Sequence, residues 1–173
     1  LVLGCEKYLD VDTDTDSPTT APLGQLLTNI DISVSNTADF RLWSGDMLSV
    51  YTHQFTAREE QDQYGTKADN INLNNDWDTI YLTLTDLETL ISQATESGDL
   101  VYLGIAEILK AYFISVAVDL WGDVPFSEAT LLEGGTVSPV FDDQQAIYQA
   151  ALDLLDSGKI KVAGGEGLSL PGA

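Results

Sequence analysis

Residues 111–129 read Ala-Tyr-Phe-Ile-Ser-Val-Ala-Val-Asp-Leu-Trp-Gly-Asp-Val-Pro-Phe-Ser-Glu-Ala, and the predicted architecture is organised around them. Their first half is the end of a long apolar helix that begins near Asp99, a good N-cap residue. Apolar side chains occur on opposite sides of this helix, which predicts burial on most sides. Gly122 then ends the helix, and Pro125 prevents it from resuming.

Charged residues interrupt the apolar run of this helix at Glu107, Lys110 and Asp119. They leave uncharged stretches well below the roughly 20 residues that a membrane-spanning helix needs. We therefore expect a buried helix of a globular domain.

Apolar residues recur at helical spacing in four further stretches of the chain. These predicted helices cover about residues 22–34, 39–54, 75–97 and 143–157, and Gly158 is expected to close the last one. Alternating runs typical of strands are nearly absent. The sequence therefore predicts an all-α fold of stacked antiparallel helix pairs, tetratricopeptide-like in arrangement. The first two predicted helices form one pair, and the 75–97 helix pairs with the helix that ends at Gly122.

We divide the chain into three parts. We predict that residues 1–21 comprise the end of a signal, a lipidated cysteine and a flexible acidic tether. Residues 22–158 form the helical domain. Residues 159–173 are rich in turn-forming residues, and we expect an irregular tail that continues into a missing C-terminal part.

The charge of the chain restricts its partners. Seven Lys and Arg residues face 28 Asp and Glu residues, which gives a formal net charge of −21. A surface this acidic repels phosphate backbones, so we expect no nucleic-acid partner. The simplest explanation of the acidity is a solvated surface that keeps the protein soluble.

Cys5 is the only cysteine, so no internal disulfide can form. It follows Leu-Val-Leu-Gly, an apolar stub that ends in a small residue, as secretory signals do. A cysteine at this place resembles the lipobox of bacterial lipoproteins, where the thiol is acylated and anchors the protein to a membrane. The alternative is a buried or incidental thiol.

Four common catalytic and metal-binding patterns do not occur in the sequence. The acidic ladder from Asp10 to Asp16 lacks the Gly and Glu that an EF-hand loop requires, and a solvated tether is the simpler interpretation. His53 and the distant Cys5 cannot supply an ordinary zinc site. Neither a nucleophile elbow nor a phosphate-binding glycine loop occurs. We therefore predict no catalytic residues, no metal and no cofactor.

A polar loop at residues 55–75 is the best candidate for ligand binding. Its amides and its one tyrosine are the groups that hold sugars, and the candidates are Gln63, Tyr64, Asn70, Asn72 and Asn74. At about twenty residues it exceeds most loops of compact domains, and such loops are usually functional or disordered. A loop that is merely soluble explains the composition equally well.

The three tryptophans have a different interpretation, because each lies on a helix stripe or at a helix end. Trp43 and Trp77 are predicted to pack in the core. Trp121 stands where the long helix ends, and its role stays open between packing and binding.

The motif Trp-Gly-Asp-Val-Pro-Phe-Ser-Glu-Ala at 121–129 resembles the SusD/RagB family of outer-membrane nutrient-binding lipoproteins. In that family a long apolar helix is followed by a Gly-Asp-hydrophobic-Pro turn and a Ser-Glu-Ala-like exit. Further similar segments occur in the same order at residues 5–12, 75–81, 106–113 and 142–155. The resemblance extends over almost the whole chain.

The resemblance implies a tetratricopeptide-like fold and a place on the outer face of the outer membrane, anchored through the Cys5 lipid. It implies a binding protein, not an enzyme, that captures an oligosaccharide or another nutrient. Its partner would be a SusC-like TonB-dependent transporter. Family members are much longer, so these residues would be an N-terminal portion.

Two other functions compete with nutrient capture. Paired helices also form scaffolds that bind a protein or a peptide. A glycan-cleaving enzyme would need two carboxylates in one cleft, and no motif singles out a pair among the 28 acidic residues.

Overall fold

The computed structural model of the protein describes residues 21–37, 49, 52–54, 74–130 and 138–165. These residues form four helices, α1 (Leu23–Thr37), α2 (Asn74–Ser97), α3 (Leu100–Trp121) and α4 (Gln144–Gly164). An isolated antiparallel bridge joins Val124 to Asp142, and the described residues contain no β-strand. The predicted all-α fold of packed helix pairs is confirmed.

The helices pack in chain order, α1 on α2, α2 on α3, and α3 on α4. The predicted pairing of the helix at 75–97 with the helix that ends at Gly122 is therefore confirmed. Its predicted counterpart requires the helix at 39–54, most of which lies outside the described residues. Within 52–54, His53 has a φ of +59°, and the Gln54 N–H donates to the Ser49 carbonyl at 2.8 Å. This is the geometry in which helices end, as predicted for this position.

The ends of α3 follow from local chemistry. Asp99 caps its N-terminus, because the carboxylate accepts hydrogen bonds from the backbone N–H groups of Val101 and Tyr102, each at 3.2 Å. At the other end Gly122 has a φ of +77°, and its N–H donates to the Val118 carbonyl at 2.8 Å. A positive φ is costly for residues with a Cβ, so glycine ends the helix here as predicted.

The length and apolar composition of α3 alone would allow it to cross a membrane, contrary to the expectation from its charged residues. Half of its most apolar window is buried within the protein. Two of the charged residues of α3 form ion pairs with the neighbouring helices: Glu107 pairs with Lys161 of α4, and Lys110 pairs with Glu88 of α2. Such contacts on both sides are those of the core helix of a globular domain.

The predicted end of the last helix at Gly158 is wrong, because α4 continues to Gly164. Gly158 lies inside the helix and crosses Gly104 of α3. A Cβ on Gly104 would come within 2.7 Å of the Gly158 carbonyl oxygen, and a Cβ on Gly158 within 2.6 Å of that of Gly104. Glycine at an interior helix position costs about 1 kcal/mol relative to alanine, but here it lets two backbones touch.

The core extends through all four helices. Its fully buried large side chains include Ile30, Ile80, Leu87, Leu90, Phe113, Ile114, Val118 and Ile147. Burying each such side chain stabilises the fold by roughly 1.5–3 kcal/mol. α2 and α3 supply most of them, which explains why these two helices form the centre of the domain.

Candidate functional site

Of the predicted ligand-binding residues, the structure describes Asn74, which is exposed and is the first residue of α2. The helix thus begins one residue before its predicted start at residue 75. Gln63, Tyr64, Asn70, Asn72 and the predicted lipid anchor Cys5 lie outside the described residues. Their roles stay predictions.

Trp77 lies one turn beyond Asn74. Together with Tyr81 and with Trp121 at the end of α3, it forms a cluster that we call the aromatic corner. The ring centroids of Trp77 and Tyr81 are 4.6 Å apart, and those of Trp77 and Trp121 are 5.1 Å apart in an edge-to-face arrangement. All three side chains are partly buried and pack against the core. The core-packing prediction for Trp77 is confirmed, and the corner joins the start of α2 to the end of α3.

Beside the aromatic corner, Asp76 lies in the first turn of α2 and is only 1% exposed. A carboxylate is favoured near a helix N-terminus by the backbone dipole. Its Oδ2 atom is nevertheless buried without a hydrogen-bond partner. Nothing in the sequence distinguishes it from the neighbouring Asp78, because burial of one of two nearby carboxylates depends on tertiary packing.

The segment that follows α3 is joined to the start of α4 by a set of polar contacts, which we call the latch (residues 122–128 and 142–144). The Asp142 carboxylate accepts hydrogen bonds from the Phe126 N–H at 2.8 Å, the Ser127 N–H at 2.8 Å and the Ser127 hydroxyl at 2.7 Å. The Asp142 N–H in turn donates to the Val124 carbonyl at 3.0 Å. Asp142 therefore joins the segment that follows α3 to the segment that precedes α4.

A second aspartate of the latch lies on the α3 side and bonds to the α4 side. Asp123, which comes just after α3, accepts a hydrogen bond from the Gln144 N–H at 2.9 Å, at the first residue of α4. Asp143 caps the same helix, accepting from the N–H groups of Gln145 and Ala146 at 3.0 and 3.2 Å. The exit from α3 and the entry to α4 therefore satisfy each other's backbone groups.

The latch is also tied to α2. The Tyr81 hydroxyl donates to the Pro125 carbonyl at 2.7 Å. Lys110, which pairs with Glu88 of α2, lies 5.3 Å from the centre of the Phe126 ring. The Trp-Gly-Asp-Val-Pro-Phe-Ser-Glu-Ala motif is thus the junction at which three helices meet.

The electrostatics of the latch follow from these contacts. Partial desolvation acts to raise the pKa of Asp142, but the hydrogen bonds from Ser127 and Phe126 outweigh it, and the pKa lies below its ordinary value. Burial raises the pKa of Tyr81, and the charge of Asp142 raises it further. Asp142 therefore stays ionised and Tyr81 stays protonated at neutral pH, which is the state that their hydrogen bonds require.

These contacts indicate that the latch has a structural role, because its carboxylates accept hydrogen bonds from backbone N–H groups of the same chain. Across the four helices and the latch, no group of three or more His, Cys, Asp and Glu side chains could hold a metal ion.

An apolar groove of about 470 Å³ lies between α3 and α4. The residues that line it include Ile108, Ala111, Tyr112, Tyr148, Leu152 and Leu155. Its polar groups are few. The Tyr148 hydroxyl donates to Asp119, and the Ser115 hydroxyl to the Tyr112 carbonyl. Sugars need convergent donors and acceptors, so the groove offers the wrong chemistry for a glycan.

Comparison with known proteins assigns the chain at the level of a family. A family model described as starch-binding associating with outer membrane matches residues 15–168, which is most of the chain. No curated protein and no solved structure matches it. The matched range includes all four helices and the latch.

Proposed function

Because the chain belongs to the SusD-like family of starch-binding proteins that associate with the outer membrane, we propose that it captures a nutrient for a TonB-dependent transporter. The nutrient we favour is an oligosaccharide. The observation that carries this proposal is the family match over residues 15–168. Members of this family are binding proteins and not enzymes.

We propose that the binding site is formed by the polar residues that lead into α2, namely Gln63, Tyr64, Asn70, Asn72 and Asn74. Asn74 supports this placement, because it is exposed at the start of α2, one turn before the aromatic corner. Amides beside an aromatic side chain supply the donors, acceptors and apolar face that a sugar ring requires.

Calorimetric titration with a panel of oligosaccharides that includes starch fragments tests the placement. Replacing Tyr64 and Asn74 by alanine should weaken binding by about tenfold or more. Ser92→Ala is the control, because Ser92 is exposed at the other end of α2. Unchanged affinity in the Tyr64 and Asn74 variants would reject the placement but not the family's binding role.

We propose that Cys5 carries the lipid that attaches the protein to the outer face of the outer membrane. Cys5→Ser should move the protein from the membrane fraction to the soluble fraction, because serine lacks the thiol to which the lipid would be attached. Membrane attachment that survives the substitution would contradict the anchor.

The transporter partner is tested by purification. The anchored protein, extracted in mild detergent, should bring down a large β-barrel protein. If it consistently purifies alone, while still binding an oligosaccharide, the transporter part of the proposal is wrong.

A helical scaffold that binds a protein or peptide is the alternative to nutrient capture. A parallel screen of glycans and peptides separates the two, because a scaffold should bind none of the oligosaccharides. Release of reducing sugars from any polysaccharide in the panel would instead show that the protein is an enzyme.

A further inference from the structure

The start of α2 differs from the starts of α3 and α4. Asp99 and Asp143 cap those two helices through their side-chain carboxylates. The residue before α2 is Leu73, whose side chain has no hydrogen-bond acceptor. Within the first turn, the Oδ2 atom of Asp76 is buried without a partner. Leu73 therefore cannot hold the first turn of α2 as the two aspartates hold the first turns of the other helices.

The aromatic corner holds this turn through tertiary contacts. Trp77 is the fourth residue of α2, and its ring centroid lies 4.6 Å from that of Tyr81 and 5.1 Å from that of Trp121. Trp121 is the last residue of α3, so the second contact joins two helices. Aromatic pairs stabilise a fold beyond the apolar area that they bury. The first turn of α2 is therefore fixed by packing against the end of α3.

Tyr81 attaches the corner to the latch. Its hydroxyl donates a partly buried hydrogen bond of 2.7 Å to the Pro125 carbonyl. On one side of Pro125, the Val124 carbonyl accepts from the Asp142 N–H, and on the other the Phe126 N–H donates to the Asp142 carboxylate. The acceptor of the Tyr81 hydroxyl therefore lies in a backbone segment that Asp142 holds from both sides.

Asn74 belongs to the turn that the corner fixes. Side chains three residues apart are neighbours on a helix surface, so Asn74 and Trp77 lie on the same face. Asn74 is exposed, whereas Trp77 is partly buried and packs against the core. Binding groups must be held within about 0.5 Å of their productive positions. The packing of Trp77 therefore sets where Asn74 meets a ligand.

From these contacts we propose that Tyr81 and Trp121 are positioning residues of the nutrient site. Together they hold Trp77, and with it the first turn of α2, in the orientation that presents Asn74 to an oligosaccharide. Trp121 thus acts in binding through Trp77 and does not touch the ligand. This inference rests on the proposed function, and it gives the Trp-Gly-Asp-Val-Pro segment a part in it.

Calorimetric titration with an oligosaccharide from the panel tests the two residues. Tyr81→Phe removes only the hydroxyl and should weaken binding by about threefold or more. Trp121→Leu removes the ring that faces Trp77 and should weaken binding by about tenfold or more. Trp121→Phe retains an aromatic ring and should recover most of the affinity that Trp121→Leu loses.

Gly104→Ala is the control for a general loss of stability. Gly104 lies near the opposite end of α3 from Trp121, and a Cβ there would come within 2.7 Å of the Gly158 carbonyl oxygen. The variant should be less stable than wild type but should bind the oligosaccharide with unchanged affinity. Circular dichroism confirms that all the variants are folded.

Hydrogen exchange gives a second readout that needs no ligand. In an α-helix each N–H donates to the carbonyl four residues earlier, so the amides of Asp78 and Thr79 report on the first turn of α2. Their exchange should be several-fold faster in Tyr81→Phe and Trp121→Leu than in wild type, because the turn opens more often. Gly104→Ala should leave it unchanged.

The outcomes separate this inference from the proposed function. If Asn74→Ala weakens binding but Tyr81→Phe and Trp121→Leu do not, the inference alone is overturned. Affinity that falls equally in Gly104→Ala would also overturn it, as would unchanged exchange at Asp78 and Thr79. If the wild-type chain binds no oligosaccharide, the proposed function fails, and the inferred role in binding fails with it.

Discussion

Asp142 connects the segment after α3 to the start of α4 through one carboxylate that accepts three hydrogen bonds. Hydrogen bonds to a charged group contribute more than neutral ones, and two of these satisfy backbone N–H groups of a turn. At the residue scale, the latch therefore depends on Asp142 more than on any neighbouring side chain.

Asp142→Asn should lower the free energy of unfolding by about 1–2 kcal/mol, because an amide is a weaker acceptor than a carboxylate and is uncharged. Thermal unfolding followed by circular dichroism measures the loss. Asp153→Asn is the control, since the exposed Asp153 side chain accepts from Gln149 within the same helix. Equal destabilisation by both substitutions would show that the latch contributes nothing specific.

The same residue predicts a pH dependence. The folded-state pKa of Asp142 lies below its ordinary value of 3.8, so ionised Asp142 stabilises the fold above that value. The contribution is lost as pH falls through the folded-state pKa. Unfolding in urea from about pH 6 to about pH 3 should show the stability difference between wild type and Asp142→Asn shrinking below about pH 4. A difference that stays constant across this range would contradict the prediction.

At the scale of elements, the contact between α3 and α4 depends on two glycines. Gly104 and Gly158 approach so closely that a Cβ on either would overlap the other's carbonyl oxygen. Backbone atoms cannot move aside as a flexible side chain can. The crossing therefore sets how deeply α4 packs on α3, and the Glu107–Lys161 ion pair lies on the same interface.

Gly104→Ala and Gly158→Ala should each lower the free energy of unfolding by about 1–3 kcal/mol, despite the better helix propensity of alanine. Gly164→Ala is the matched control, because its Cβ would meet no atom within 4 Å. It should be neutral or slightly stabilising. Chemical denaturation of the three variants distinguishes a steric crossing from a general intolerance of alanine at glycine positions.

The ion pair on this interface makes a separate prediction. Lys161→Met should destabilise the protein by about 2 kcal/mol, because it leaves the mostly buried Glu107 carboxylate without its partner. Combining it with Glu107→Leu should restore much of the loss, because the buried charge is then removed as well. A double variant as unstable as the sum of the two single variants would contradict this account.

At the scale of the whole molecule, the dominant feature is the net charge of −21. In the described part of the chain, Lys110 and Lys161 are both engaged in interhelical pairs, so most exposed carboxylates repel one another without compensation. Self-repulsion favours expansion of the chain and opposes the compact state.

Salt should therefore stabilise the protein. Raising the ionic strength from about 10 mM to about 150 mM shortens the Debye length from roughly 30 Å to roughly 8 Å and screens this repulsion. The midpoint of thermal unfolding should rise across this range in sodium chloride. A falling midpoint would mean that the attractive ion pairs outweigh the net repulsion.

Much of the candidate site could not be predicted from the sequence. The polar side chain of Asn74 makes it a candidate, but the aromatic corner one turn further along forms only where α2 meets α3. The sequence of the latch predicts a turn that ends a helix, but it does not predict a junction between helices. The bonds of Asp142 cross from one helix end to the next, and no local pattern specifies such contacts.

Local interactions explain what the sequence alone determined about this protein. The helices, the caps at Asp99 and Gly122, and the all-α class follow from periodicity and from backbone preferences within a few residues. Tertiary structure decided the rest. Gly158 lies inside a helix because another backbone crosses it, and Asp142 matters because two distant segments converge on it. Each of these depends on which surfaces approach one another, and that choice is made by the packing of the whole chain.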